Sequence, residues 1–134
     1  MAGRMLIPTL IVAVPLVAGC SESDYAAVRG QVFYNDQPLS QGVVMFQPAN
    51  GPPARGAIQP DGTFELEMLG NGKGARIGTN RVRISAREEP KNQYGEIGLG
   101  RRLIPARYDD ITTSGLTAEV NPENNEPFVF RLTD

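Results

Sequence analysis

Short runs in which apolar and polar residues alternate recur along this 134-residue chain, and they constrain its fold more than any other feature. Val28 to Asn35, Asn80 to Arg87 and Phe128 to Leu132 each place apolar side chains at every second position. Successive side chains of a β-strand point to opposite faces, so this period of two predicts half-buried strands. No run after residue 25 has a convincing helical period. The pattern predicts an all-β chain, specifically a seven-stranded antiparallel β-sandwich.

Two turn sequences separate these runs. Asn35-Asp36 predicts a tight turn after the first strand, and Pro38 is expected to end that arm of the hairpin. Pro60-Asp61-Gly62 predicts a hairpin that joins residues 55–58 to residues 63–68. In that hairpin proline fixes φ, the aspartate side chain caps the turn and glycine accepts positive φ.

The charged positions of two strands suggest how those strands are paired. Glu65 and Glu67 share one face of their strand, and Arg81 and Arg83 share one face of another. If these strands are neighbours, the glutamates face the arginines. Exposed cross-strand pairs of this kind contribute only about 0.2–1 kcal/mol each, so their main effect would be on the register.

The inward-facing position of each run predicts the core. Each buried aliphatic or aromatic side chain stabilises the fold by about 1.5–3 kcal/mol. The predicted core residues are Val28, Val32, Val44, Phe46, Phe64, Leu66, Val82, Ile84, Leu116, Val120, Phe128, Phe130 and Leu132.

The N-terminal residues resemble a bacterial lipoprotein signal. Arg4 supplies a positive charge, residues 5–17 form an apolar stretch too short to span a bilayer, and Leu16 to Cys20 reads Leu-Val-Ala-Gly-Cys. This string resembles a lipobox, which implies cleavage before Cys20 and lipid attachment to its sulfur and new amino group. The alternative is a secretory peptide cut at Ala18-Gly19. A free exposed thiol is a liability in an oxidising compartment, so the lone cysteine favours lipidation.

Cleavage at that point divides the chain into three parts: a signal peptide (1–19), the lipidated cysteine with a short polar tether (20–25) and one β-sandwich domain (26–134). Residues 21–25 reach at most about 18 Å when fully extended, so the domain is expected close to the membrane. Ser21, rather than an aspartate, follows the cysteine, which favours the outer membrane. The expected location is the cell envelope, with the domain outside the cytoplasm.

The composition excludes several kinds of chemistry. The chain has no histidine and one cysteine, so Ser-His-Asp and Cys-His arrangements cannot form and zinc loses both preferred ligand types. It also has no tryptophan for stacking on sugars. The formal charge of −2 becomes −3 once Arg4 is removed with the signal. This mild acidity, with Arg101-Arg102 a pair rather than a patch, predicts no binding to nucleic acid.

Five phrases of the sequence resemble a known family when they are taken together. They are Val28-Arg29-Gly30-Gln31-Val32, Gln37 to Phe46, Asp61 to Phe64, Ile104 to Tyr108 and Thr113 to Val120. The series resembles small lipoproteins of planctomycete-type bacteria described as carboxypeptidase regulatory-like or transthyretin-like domain proteins. The resemblance implies a seven-stranded prealbumin-like sandwich, an envelope location and no established biochemical activity. Members often carry a Pro-Gly-Lys-Tyr-like phrase before the fifth strand, where this chain departs with Ile77 to Arg81.

Residues 88–115 form the longest irregular stretch, and long loops inside small domains are usually functional or disordered. Tyr94, Arg101 and Arg102 are the candidate ligand contacts, because a ring face beside two cations suits a sugar or a partner protein. The simpler interpretation is an unstructured loop whose Tyr94 lies on the sandwich. Tyr108 is predicted to be structural, with its ring under the loop and its hydroxyl bonded to backbone.

Carboxylates offer two further kinds of site. Asp109-Asp110 with Glu88-Glu89 would supply oxygen ligands for calcium, but their spacing matches no known calcium loop, and solvated loop charge is the simpler interpretation. A glycosidase needs two carboxyl groups held across a cleft, and no cleft is evident in the sequence. No metal or cofactor is predicted.

The sequence therefore predicts a non-catalytic, lipid-anchored interaction or structural module of the cell envelope. Its expected partners are the membrane, through the lipid, and an envelope protein or polysaccharide. The alternative is a polysaccharide-binding module that uses residues 88–115. A third hypothesis is a hydrolase that uses Asp109 and Glu88.

Overall fold

The computed structural model describes residues 24–68, 70, 72–89 and 100–134, together with residues 3 and 11–13. Within these residues the protein is all-β, as predicted, with one 3-10 turn and no α-helix. The strands are β1 (Tyr25–Ala26), β2 (Arg29–Tyr34), β3 (Gln37–Pro38), β4 (Val43–Pro48), β5 (Ala54–Ala57), β6 (Thr63–Glu65), β7 (Glu67–Met68), β8 (Gly72–Lys73), β9 (Ala75–Arg76), β10 (Gly78–Ser85), β11 (Leu116–Val120) and β12 (Phe128–Leu132), and the 3-10 turn is Ala106–Asp109.

The larger sheet contains six strands in the order β11-β10-β4-β5-β7-β8, all antiparallel. Its longest strand, β10, pairs with β11 along Gly78–Val82 and with β4 along Asn80–Ser85. Asn80, Val82 and Ile84 are buried at every second position of β10, so the alternation read from the sequence matches the two faces of this sheet.

The smaller sheet has the order β12-β2-β3, and β6 also pairs with β2. β12 and β2 run parallel, from Phe128 opposite Gly30 to Leu132 opposite Tyr34. The prediction of a purely antiparallel arrangement is therefore wrong for this pair. A short hairpin forces two strands to be antiparallel, but nearly the whole domain separates β2 from β12, so their relative direction is free.

Residues 63–68 alternate without interruption but are shared between the two sheets. β6 pairs with β2, whereas β7 pairs with β5, and between them the Leu66 N–H donates to the Val28 carbonyl at 3.0 Å. The described residues contain twelve strand segments, whereas seven strands were predicted. Part of the difference arises because a single run, residues 63–68, is divided into two strands that pair with different neighbours. The predicted hairpin of residues 55–58 and 63–68 is confirmed in part. Its turn forms and Arg55 lies opposite Glu67, but residues 63–65 pair with β2 instead of β5.

The predicted cross-strand charge pairs are also wrong in their partners. Glu65 lies opposite Arg29 of β2, and Glu67 lies opposite Arg55 of β5. Arg81 and Arg83 lie on β10, which does not adjoin β6 or β7. The glutamates do lie opposite basic residues, Arg29 and Arg55. They do not lie opposite Arg81 and Arg83, because the neighbours of β10 are β4 and β11.

Both predicted turns are confirmed. Asn35 and Asp36 have φ of 48° and 67° and join β2 to β3, with Tyr34 opposite Gln37. At the second turn Gly62 has φ of 86° and donates to the Gln59 carbonyl at 2.8 Å. The Asp61 Oδ1 accepts the Thr63 N–H at 3.0 Å and the Thr63 hydroxyl at 2.6 Å, as an aspartate cap requires.

Side chains of both sheets form one core, an arrangement consistent with a β-sandwich. The Phe46 ring is its centre, with ring centroids of Phe128, Phe130 and Phe64 at 5.6, 6.1 and 6.5 Å. All the predicted core residues are buried except Leu116 and Phe128, which are partly buried and pack against the core. Burial also includes residues the prediction left out: Leu39, Ala54, Ile58, Met68, Ala75, Ala86, Ile104, Tyr108 and Ala118.

The strand directions define two poles of the molecule. β1 pairs with β9 immediately before β10 begins, and the Asp24 carbonyl accepts the Ile77 N–H at 2.9 Å, so the N-terminal end of the described body lies at the start of β10. We call this end the tether pole. Residues 86–89 and 100–115 follow the other end of β10, which we call the free pole. At about 3.4 Å per residue, the eight residues of β10 separate the poles by about 24 Å.

Candidate functional site

Three arginines form a row on the outer face of the larger sheet. Val82, Ile84 and Ala86 are buried, so the alternation directs Arg81, Arg83 and Arg87 to the opposite, solvent-facing side. The row starts in the middle of β10 and ends just beyond it, at the free pole.

A fourth arginine joins the row through an antiparallel bridge just beyond β10. The Glu88 N–H donates to the Arg101 carbonyl and the Leu103 N–H donates to the Ala86 carbonyl, both at 2.9 Å. These bonds place Arg87 directly opposite Arg102 in an antiparallel bridge. Two like charges directly opposite one another across strands are unfavourable, so this juxtaposition needs a compensating anion.

Asp109, in the 3-10 turn, supplies that anion. Its Oδ1 lies 3.4 Å from Arg83 Nη1 and its Oδ2 lies 3.1 Å from Arg102 Nη1. Its side chain is only 23% exposed, whereas the two arginine side chains are about 40% exposed. One carboxylate is thus shared by two guanidinium groups, while Arg87 Nη1 donates to the Gly100 carbonyl at 3.0 Å. We call Arg81, Arg83, Arg87, Arg102 and Asp109 the arginine cluster.

The predicted ligand contacts are only partly brought together. Arg102 belongs to the arginine cluster, whereas alternation directs the exposed Arg101 to the other side of the bridge. Tyr94 and Cys20 lie outside the described residues. The expectation that Arg101-Arg102 is an isolated pair is wrong for Arg102. The alternating sequence pattern could have shown that Arg81, Arg83 and Arg87 share one face of a strand. It could not have shown that Arg102 lies opposite Arg87.

The two aspartates considered for calcium have other roles. Asp109 is held by two arginines. The Asp110 Oδ1 accepts the Thr112 N–H at 2.8 Å and the Thr112 hydroxyl at 2.7 Å, and these bonds are the main cause of a lowered pKa for Asp110. Within the described residues no three His, Cys, Asp or Glu side chains are grouped to hold a metal ion.

Tyr108 has the structural role that was predicted for it. It is buried, and its hydroxyl donates to the Thr133 carbonyl and accepts the Thr133 N–H, each at 3.0 Å. Arg107 Nη2 donates to the same hydroxyl at 2.8 Å. Burial raises the pKa of Tyr108, but the hydrogen bonds with Thr133 and Arg107 outweigh it, so the net shift is downward. The 3-10 turn is thereby fixed to the residues that follow β12.

A separate cleft of about 1250 Å³ lies along the side of the molecule where the run of β6 and β7 passes from one sheet to the other. It is lined by four charged side chains, Arg29, Arg55, Glu65 and Glu67, and by the exposed Val43 and Val129. Among the described residues, Phe64 is the only aromatic residue that lines it, and Phe64 is buried. The cleft therefore has no exposed ring on which a sugar could stack.

Comparison of the chain with protein-family models, with curated protein sequences and with solved structures finds no match in any of the three. In the described part of the chain, no helix has the length and apolar character needed to cross a membrane.

Proposed function

We propose that the protein is a non-catalytic interaction module that a lipid on Cys20 holds at the cell envelope. The module is proposed to be a transthyretin-like β-sandwich with seven principal strands. That count takes β6 and β7 as one run and sets aside the two-residue strands β1, β3, β8 and β9. The single shared core of the two sheets supports this proposal.

The observation that carries the proposal is the separation of the two poles. The Asp24 carbonyl and β1 fix the chain that follows Cys20 to one end of the body, and the arginine cluster lies toward the opposite end. An anchor at Cys20 would therefore hold the tether pole near the lipid. The arginine cluster would then face away from the membrane, where a partner can reach it.

The arginine cluster favours binding over catalysis. It contains four permanently protonated guanidinium groups and one carboxylate that two of them occupy. A general acid or base must gain and lose a proton near the operating pH, which a guanidinium does not do. The hydrolase hypothesis needs Asp109 free to act on a substrate, whereas Asp109 contacts Arg83 and Arg102.

Membrane fractionation of a Cys20→Ala variant tests the anchor. The variant should appear in the soluble fraction, while a Ser23→Ala variant of the same segment should stay with the membranes. Intact-mass measurement of the membrane form should give a mass increase equal to the attached acyl groups. A membrane-bound Cys20→Ala variant, or an unmodified Cys20 thiol, would contradict the proposal.

A second candidate function is the binding of envelope polysaccharide by residues 88–115. The placement of Arg102 within the arginine cluster favours it, because the predicted contact residue lies among other cationic donors. Retention of the protein on purified cell-wall and exopolysaccharide fractions tests it. Retention should fall in the Tyr94→Ala and Arg102→Gln variants. If even the parent protein is not retained, a protein partner is the better proposal.

A further inference from the structure

We infer that the outer face of the larger sheet, along the arginine cluster, binds a linear anionic glycan through its carboxylate or sulfate groups. The inference rests on the proposed envelope function, because that location offers glycans as extended polyanions. It goes beyond the 88–115 loop by assigning the contact to β10 itself. The partner is defined by its repeated negative charge, not by a particular sugar.

The row of arginines has the shape that an extended polymer needs. Arg81 and Arg83 are two residues apart, about 7 Å, and Arg87 lies about 14 Å further along the same line. Arg102 widens the far end of the row, since it lies directly opposite Arg87. Three cations thus follow a line of about 20 Å along β10 and its continuation, and Arg102 adds a fourth beside the end of that line.

The neighbours of the row leave most of its charge uncompensated. Across the strands, Arg81 faces Gln47 and Thr117, Arg83 faces Met45, and none of these carries a charge. Glu119, the nearest acid on β11, lies opposite Thr79 and accepts its hydroxyl at 2.6 Å. Asp109 is the only carboxylate that pairs with an arginine of the cluster among the described residues. A surface with four guanidinium groups and only one such carboxylate favours a polyanion.

Asp109 holds the place that an anionic group of the ligand would take. It lies between Arg83 and Arg102 and uses one guanidinium nitrogen of each. A guanidinium carries five N–H donors, so both arginines keep donors for a second carboxylate or sulfate. Asp109 therefore stabilises the empty cluster and competes with the ligand for it.

The same face is poorly suited to a partner protein. Stable protein interfaces have an apolar centre with aromatic anchors. The apolar side chains beside the row are Met45 and Val43. Met45 is half-buried and accepts a hydrogen bond from Arg83 Nε at 3.2 Å, and Val43 is the one exposed aliphatic residue of β4. No aromatic side chain of the described strands β4, β10 and β11 is exposed on it. Recognition here is electrostatic, as an acidic glycan requires.

The experiment measures binding of the full chain, in detergent micelles, to dextran sulfate and to polygalacturonate, with uncharged dextran as the matched control. Both anionic glycans should bind with an affinity that falls as salt is raised, and dextran should not bind. Arg81→Gln and Arg87→Gln should each weaken binding about five-fold, and the double variant about 25-fold, if the two contacts are independent. Arg131→Gln removes the same charge from the other sheet and should leave the affinity unchanged.

Two variants, Arg81→Gln and Asp109→Asn, separate a binding role from a structural one. The side chain of Arg81 has no hydrogen-bond or ion-pair partner among the described residues, so Arg81→Gln should not disturb the structure. This variant therefore tests the inference even if Arg87→Gln destabilises the local structure by removing the bond to the Gly100 carbonyl. Asp109→Asn removes the competing charge and should tighten binding several-fold, whereas a merely structural Asp109 would give weaker binding when replaced.

The inference is overturned if dextran binds as well as dextran sulfate, or if Arg131→Gln has the same effect on affinity as Arg81→Gln. It is also overturned if polyglutamate or single-stranded DNA of equal charge binds more tightly than both glycans. These results leave the anchor unaffected, because membrane release of Cys20→Ala is measured independently. Conversely, a Cys20→Ala variant that stays on membranes would refute the anchor without changing the affinities for the glycans.

Discussion

At the scale of single residues, two aspartates stabilise turns by the same local geometry. Asp61 and Asp110 each accept the backbone N–H and the side-chain hydroxyl of the threonine two residues further on. A carboxylate that accepts two hydrogen bonds is stabilised in its charged form. The pKa of each is accordingly lowered from its ordinary value of 3.8, with the threonine side-chain bond as the largest cause.

The first prediction concerns pH. Because the folded-state pKa of Asp61 is below its unfolded value, its contribution to stability is complete above the ordinary value of 3.8 and is lost as pH falls through the folded pKa. Asp61→Asn should therefore lower the Tm at pH 6, and the difference from the parent protein should shrink steadily once the pH falls below about 4. Thermal unfolding followed by circular dichroism from pH 2 to pH 7 measures this difference.

Thr63→Val is the matched control for this effect, since it removes the hydroxyl donor and leaves the Asp61 charge in place. In that background the difference in Tm caused by Asp61→Asn should be smaller and should depend less on pH. An Asp61→Asn effect that stays constant down to pH 2 would show that the charge of Asp61 has no part in the turn.

Tyr108 gives the second prediction at this scale. Removing its hydroxyl deprives the Thr133 N–H and carbonyl of their partner, so Tyr108→Phe should lower the free energy of unfolding by about 1 kcal/mol. Chemical denaturation measures the change. Tyr34→Phe, which removes a surface hydrogen bond to Asp134, is the comparison and should have about half that effect or less. Equal losses in the two variants would contradict a special role for Tyr108.

At the scale of elements, the alternation predicted which residues face the core but not which strands are paired. Phe64, Leu66 and Met68 are buried at every second position, yet β6 belongs to one sheet and β7 to the other. A change of sheet keeps the side-chain period intact while the hydrogen-bond partner changes, so a period of two carries no trace of it. The wrong pairing of Glu65 and Glu67 has the same origin.

The change of sheet depends on a close approach that only glycine permits. At Gly56 a Cβ atom would collide with the Glu65 carbonyl, because β5 and β6 cross there with backbone almost in contact. Gly56→Ala should therefore lower the free energy of unfolding by about 3 kcal/mol, near the upper end of the usual range for overpacking. Urea denaturation of the purified variant measures the loss.

Ala57→Ser is the matched control for Gly56→Ala, since it also adds one heavy atom to β5 but on the exposed side of the strand. Its effect should be within about 0.5 kcal/mol of zero. If Gly56→Ala lowered the free energy of unfolding no more than Ala57→Ser does, the backbones of β5 and β6 would have to lie further apart at Gly56 than they do in the structure.

At the scale of the whole molecule, the candidate site depends on a contact that the sequence does not encode locally. The outward positions of Arg81, Arg83 and Arg87 follow from the buried residues between them. The arrival of Arg102 opposite Arg87 depends on how the chain between them closes, which no short-range pattern specifies. The same holds for Asp109, whose role as counter-ion to Arg83 and Arg102 differs from the solvated loop charge that was expected.

The last prediction concerns the orientation of the molecule on a membrane. From Cys20 to Asp24, where the described body begins, the chain can extend about 14 Å, which is less than the roughly 24 Å between the poles. If Cys20 carries the proposed lipid, the tether pole should therefore lie nearer to the headgroups than the free pole. A fluorophore on Asn50→Cys, in the β4–β5 loop of the tether pole, should be quenched strongly by headgroup-labelled lipid. The same fluorophore on Ser40→Cys, at the free pole, should be quenched several-fold less. Equal quenching at both positions would mean that the body lies on its side, which would contradict the proposed orientation.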